Sequence, residues 1–98
     1  MSKEFLIEQL TNQLTSSFGA TINLDMGEHG IVHIDGGQLP PIVTEGSADA
    51  DGTIAMSLEN FLALAKGELD PMGAFMDGTM SVTGDMGAIM ALQNALSD

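Results

Sequence analysis

The sequence predicts an α+β domain: one mostly antiparallel five-stranded sheet covered on one face by about four helices. Three observations carry that expectation. Residues 20–26 and 31–35 alternate apolar and polar side chains on either side of a glycine-containing turn, as strands with one buried face do. Residues 3–18, 58–66 and 85–96 instead repeat their apolar side chains three and four apart, the period of a helix with one buried stripe. Ser57, Asp70-Pro71 and Asp85 stand ahead of helical runs, and Gly19, Gly67 and Gly78 behind them, where caps and stops belong.

Taken in order, the first helix is expected over 3–18, with Leu6, Ile7, Leu10, Leu14 and Phe18 on one face, Ser2 as N-cap and Gly19 as the stop. The strand 20–26 turns through Gly27-Glu28-His29-Gly30 into a second strand, 31–35, which Gly36-Gly37 ends. After Pro40-Pro41 a short Ile42-Val43-Thr44 run reads as an edge strand, because proline cannot donate to both neighbours in a central one. Residues 52–56 form the next strand. Ser57 then caps a helix over 58–66 whose buried stripe is Leu58, Phe61, Leu62 and Ala65, stopped by Gly67. Asp70-Pro71 opens a short helix over 71–76, an N-cap followed by proline at the first helical position. Residues 79–83 alternate again, with Met80 and Val82 inward. Asp85 caps the last helix, whose apolar side is Met86, Ile89, Met90, Ala91 and Leu92. The order is α-β-β-β-β-α-α-β-α.

With 98 residues, 44% of them hydrophobic, the chain supports a single domain over 1–98, and any pocket must share side chains with its one core. Two lysines and no arginine stand against 14 carboxylates, a formal net charge of −12. A phosphate backbone or an anionic bilayer needs clustered cations, so nucleic acid is excluded as a partner. The excess of carboxylates favours a soluble acidic surface. There is no cysteine, which removes disulfides, thiolate metal sites and cysteine nucleophiles. Met1-Ser2-Lys3-Glu4 leads into no signal-peptide-like run, and the uncharged stretch 86–97 is shorter than the ~20 residues a membrane span needs. A cytoplasmic monomer is expected.

Motifs for chemistry are sparse. Neither a Walker loop nor Gly-x-Gly-x-x-Gly occurs in a strand-to-helix setting. Ser47-Ala48-Asp49-Ala50-Asp51-Gly52 has the alternating carboxylates of a calcium loop, but the position that requires a bidentate Glu falls on Leu58, so it reads as an acidic turn. His29 and His33, with Asp35 two residues beyond, can be drawn as a metal site or proton relay, yet no third ligand is suggested and a solvated hairpin face explains them. No serine sits on a Gly-x-Ser-x-Gly turn. No cofactor, metal or catalytic residue is expected. The eight methionines are the unusual entry in the composition, and Met72, Met76, Met80, Met86 and Met90 crowd the last third. Methionine is a flexible, polarizable filler, suited equally to an irregular core and to a surface that receives flexible tails.

The run Asp51-Gly52-Thr53-Ile54-Ala55-Met56-Ser57, then Phe61-Leu62-Ala63-Leu64 and Gly67-Glu68-Leu69-Asp70-Pro71, resembles the second half of sterol carrier protein type 2 domains. The likeness continues through Ala74-Phe75-Met76-Asp77-Gly78, Thr79-Met80-Ser81-Val82-Thr83-Gly84-Asp85 and Met90-Ala91-Leu92-Gln93. The first half matches in element order and length. The chain is similar to small, stand-alone prokaryotic-like members. What the resemblance implies is an apolar tunnel between sheet and helices that holds fatty acid, sterol-like or other neutral lipid, without covalent chemistry. Carried onto this chain, the lining would be Phe61, Leu62, Phe75, Met76, Met80, Val82, Ile89 and Met90, with lipid or another hydrophobic small molecule as partner and transient contact with a membrane or an enzyme. Two departures stand out. Relatives commonly carry lysines where this chain has Thr79 and Ser81, and the terminal Leu96-Ser97-Asp98 is not the peroxisomal tripeptide of eukaryotic members. The expected ligand is therefore neutral or weakly polar rather than acyl-CoA. The alternative from another class is an acidic protein–protein interaction or scaffold module whose cavity has closed. A catalytic reading would need a carboxylate–histidine pair facing the cavity, with His33 as its only candidate.

Overall fold

The alternating segments pair as their pattern requires. In the computed structural model, which describes residues 3–97, β1 (Thr21–Asp25) and β2 (Ile31–Asp35) form an antiparallel pair across a short 3-10 turn at Gly27–His29. The expected N-cap Ser2 lies outside the described residues. β3 (Ile42–Glu45) adds antiparallel to β2 at one edge, as the prolines before it demand. The chain then crosses back to lay β4 (Gly52–Ala55) parallel to β1, and β5 (Ser81–Gly84) closes the other edge antiparallel to β4. The sheet order is β3-β2-β1-β4-β5, mixed but mostly antiparallel. Asp51 pins the crossover: its N–H donates to the Thr21 carbonyl at 2.9 Å, and its carboxylate accepts from the Thr21 N–H at 3.1 Å. The acidic turn thus has a structural task.

Every second strand residue faces the helices. Ile22, Leu24, Val32, Ile34 and Ile54 are buried together with Leu6, Leu10 and Leu14 from the N-terminal segment. Helix α1 (Lys3–Gln13), α2 (Leu58–Ala65), α3 (Pro71–Met76) and α4 (Met86–Ser97) supply the other layer. Leu58, Phe61, Leu62 and Ala65 of α2 are all buried, as are Ala88, Ile89 and Leu92 of α4. The opposite sheet face carries the cross-strand row Thr44, His33, Asn23, Thr53 and Thr83, half-buried to exposed. A sheet with one dry face and one wet face is what the alternation describes.

Local chemistry sets the boundaries. Ser57 accepts the Asn60 N–H at 3.2 Å and Asp70 the Met72 N–H at 3.2 Å, so both expected N-caps form. Asp85 accepts the Gly87 N–H at 2.8 Å and starts α4. Two boundaries differ from expectation by more than one residue. The first helix ends at Gln13 rather than Phe18, because the following backbone has another partner. The Gly36 carbonyl takes the N–H groups of Phe18 and Gly19, each at 2.9 Å, and the Ser17 hydroxyl at 2.7 Å. Residues 14–20 therefore run as a strap from α1 to β1, and Leu14 stays buried without being helical. Likewise β5 begins at Ser81, not Thr79, since the Thr79 N–H is bound by the Asp77 carboxylate at 2.9 Å and the Met80 N–H by the Ala74 carbonyl at 3.0 Å.

Candidate functional site

β5 is an edge strand with three of its four residues exposed. Val82 lies opposite Ile54 in the register, so it points to the helix-covered face, where residues of α3 and α4 gather with it. Between them is a groove of about 260 Å³ lined by Met72 and Phe75 of α3, Met80 and Val82 of β5 and its approach, and Met86, Ile89, Met90 and Gln93 of α4. Its floor is core: Met80 is 3% and Ile89 1% exposed. Its rim faces water, with Phe75 46%, Met86 48%, Met90 58% and Met72 69% exposed. Gln93 is the one polar side chain in the lining.

Each wall is held by its own local signal. Asp70 and Pro71 start the six-residue α3, too short to persist by propensity alone, and so aim Met72 and Phe75. Gly84, at φ 90°, lets the end of β5 press against β4: a Cβ there would come within 2.6 Å of the Asp51 carbonyl oxygen and 2.9 Å of the Gly52 Cα. That close approach, continued by the Asp85 N–H to the Asp51 carbonyl at 2.9 Å, sets where α4 begins. Below α3, hydrogen bonds from the Thr79 hydroxyl and N–H hold the exposed Asp77 carboxyl under its ordinary pKa of 3.8.

Of the residues proposed from the sequence to line a lipid site, the structure brings Phe75, Met80, Val82, Ile89 and Met90 together around this groove. Phe61 and Leu62 are 2% and 1% exposed in the core of α2 and do not reach it. Met76 projects into solvent, 83% exposed, outside the lining. Met72, Met86 and Gln93 line the groove without having been named among the expected lining; Met72 and Met86 belong to the methionines crowded in the last third, which was the available signal. On α4 Met86 and Met90 are exposed, so the buried stripe is Ala88, Ile89 and Leu92 instead.

Electrostatics around the groove are one-sided. Lys3 pairs with Glu45 at 3.7 Å and Lys66 lies 6.0 Å from the Phe5 ring, so neither lysine borders the groove. The carboxylates of Asp70, Asp77 and Asp85 sit on the elements that form it. His33 is on the opposite face of the sheet, its Nδ1 2.7 Å from the Asn23 Oδ1, and no carboxylate–histidine pair faces the groove. Among the described residues no cluster of three or more His, Cys, Asp or Glu could hold a metal ion, and no helix is long and apolar enough to cross a membrane.

The family model described as the SCP-2 sterol transfer family matches residues 7–97. Human sterol carrier protein 2 (Homo sapiens) is 42% identical over 53 residues, which are 54% of this chain and 10% of that protein. Stomatin-like protein 1 of Mus musculus is 31% identical over 94 residues, 94% of this chain and 24% of that protein. The chain thus spans about a tenth of the length of the sterol carrier protein it matches. Among solved structures, palmitated SCP2L2 from Aedes aegypti superposes with a TM-score of 0.75 at 24% identity, covering 100% of this chain and 96% of that one. The five-stranded sheet with its helical cover is the fold of those structures, and with a match over nearly its whole length, the chain belongs to the SCP-2 sterol transfer family.

Proposed function

We propose that the chain binds one hydrophobic tail in the groove between α3, β5 and α4 and exchanges it with membranes or with an enzyme, without catalysing a reaction. The observation that carries this reading is the lining: seven apolar side chains, four of them methionines, and a single glutamine. Such a wall offers dispersion contacts that adapt to a flexible chain and almost no directional bonding. The likeness to a palmitated mosquito protein supports an acyl chain as one acceptable ligand. At about 260 Å³ the groove is just below the ~300–1,000 Å³ range usual for ligand pockets, so a long tail is held by flexing the methionine side chains or by leaving part of itself outside.

Burying a tail of about sixteen carbons yields on the order of 12 kcal/mol relative to water, at ~0.8 kcal/mol per methylene. Association and ordering costs reduce that by several kcal/mol, which leaves affinity in the micromolar range or tighter. Against a bilayer the apolar gain nearly cancels, because the tail is already out of water there. The protein therefore transfers lipid rather than hoarding it. With no lysine beside the groove and three aspartates on its elements, a neutral or weakly polar head is preferred over acyl-CoA, whose phosphates need cations.

Native mass spectrometry of the purified chain, followed by solvent extraction, tests this. Bound lipid that disappears in Met90→Trp, which fills the groove, is the expected result. A clean apo mass unchanged by fatty acids, sterols and phospholipids would overturn it and favour the acidic interaction module with a closed cavity.

A further inference from the structure

The methionines of the described residues fall into two sets. Met26, Met56 and Met80 are buried. Met72, Met76, Met86 and Met90 are exposed; all four belong to α3 and α4, and three of them line the groove. On α4, Met86 and Met90 are one helical turn apart and line the same groove. The chain has no cysteine, so no thiol intercepts an oxidant before these sulfurs do.

We infer that the groove rim is a methionine oxidation site for peroxide-class oxidants, and that sulfoxide formation there ejects the hydrophobic ligand. The ejection rests on the tail-binding reading above; the oxidation site does not. The sulfur lone pair attacks one peroxide oxygen, the S–O bond forms and the O–O bond breaks. Hydroxide leaves, and takes the proton from the new S–OH group to become water. The thioether is oxidised by two electrons and the peroxide reduced by two. A flexible apolar wall thereby becomes polar. A sulfoxide pressed against an alkyl chain loses its hydration without gaining a donor, which weakens binding by about tenfold or more. Methionine sulfoxide reductase restores the thioether, so the change is reversible.

Exposure, and not methionine content in general, selects the sulfurs that oxidise, and groove membership couples three of them to the ligand. Met80 forms the floor of the same groove yet is buried, and Met76 is the most exposed of the four while lying outside the lining. These two separate exposure from groove membership.

The test treats the whole chain with hydrogen peroxide and follows each methionine by peptide mass spectrometry, with and without palmitate. Met72, Met76, Met86 and Met90 are expected to oxidise at least about ten times faster than Met26, Met56 and Met80. Palmitate should slow Met72, Met86 and Met90 but leave Met76 unchanged. Equal rates at all sites, or oxidation of the buried set first, would overturn the site. Palmitate affinity, measured in parallel, should fall about tenfold or more on oxidation and recover with the reductase. In Met86→Leu/Met90→Leu, whatever its own affinity, the ratio of binding before and after peroxide should move towards one. An undiminished loss in that variant, or no loss in the parent chain, would overturn the ejection. If the untreated chain binds no lipid at all, the tail-binding reading fails and the ejection with it, while the oxidation pattern still decides the site.

Discussion

Phe61 and Phe75 share a side chain and sit on helices with nearly the same apolar spacing, yet one is sealed in the core and the other stands at the groove rim. Truncating them should separate folding from binding. Phe61→Ala leaves a cavity among fully buried neighbours and is expected to cost ~3–5 kcal/mol in urea unfolding. Phe75→Ala should cost less than about 1 kcal/mol by the same measurement, while weakening fatty acid binding severalfold. The periodicity of the sequence could place both on apolar stripes but could not tell core from groove, since a helix packed on a sheet and a helix lining a cleft repeat their apolar residues alike. The family resemblance, carried onto this chain, put Phe61 and Leu62 among the expected lining residues and left Met72 out, and the periodicity could not correct it. Asp77 illustrates a different kind of limit, because its partner depends on how a turn closes. Hydrogen bonds to its carboxylate lower its pKa on folding, so the stability they contribute is complete above 3.8 and is lost as pH falls below that value through the folded one. An NMR titration should give Asp77 a midpoint under 3.8, moving upward in Thr79→Ala as the hydroxyl is removed and only the N–H remains.

Elements with their own caps and stops were legible from sequence. α3 (Pro71–Met76) has the expected bounds, and α2 and β2 follow theirs within a residue, because Ser57, Asp70-Pro71 and Gly67 act on neighbours along the chain. The strap between α1 and β1 was not, since what ends that helix is the Gly36 carbonyl, 18 residues beyond Phe18 in sequence (36 − 18) and adjacent in space. No local pattern distinguishes a helical Leu14 from a strapped one, as both are buried. Gly36 is where the strap can be tested. A Cβ there would overlap the Phe18 ring and come within 2.6 Å of the Ala20 carbonyl oxygen. Gly36→Ala is therefore expected to lower stability by ~1–3 kcal/mol, as overpacking does, read as a shift of the urea midpoint at unchanged slope. Gly37→Ala, whose Cβ would meet only an Asp35 carboxylate oxygen at 3.4 Å, is the control and should be milder.

At the scale of the whole molecule, a net charge of −12 on 98 residues dominates behaviour in solution. Fourteen carboxylates with two lysines repel one another, and salt screens that repulsion over about 10 Å at 0.1 M. Raising sodium chloride from low to physiological concentration should therefore raise the melting temperature, whereas a protein of balanced charge would change little. The fold class was legible at this scale because strand alternation, helix period and caps all agreed, and agreement across levels is what specifies a fold. The groove was legible only as a concentration of methionines, since its walls come from three elements whose meeting is tertiary. Its use is tested most directly on the rim methionines themselves. The measurement is intermolecular NOEs between the methyl groups of 13C-methyl-methionine-labelled protein and the methylenes of bound palmitate. The account predicts contacts from Met72, Met86 and Met90 and none from Met26 or Met76. Contacts from Met26 or Met76 in their place, or a palmitate that binds without touching the α3–α4 methionines, would contradict it.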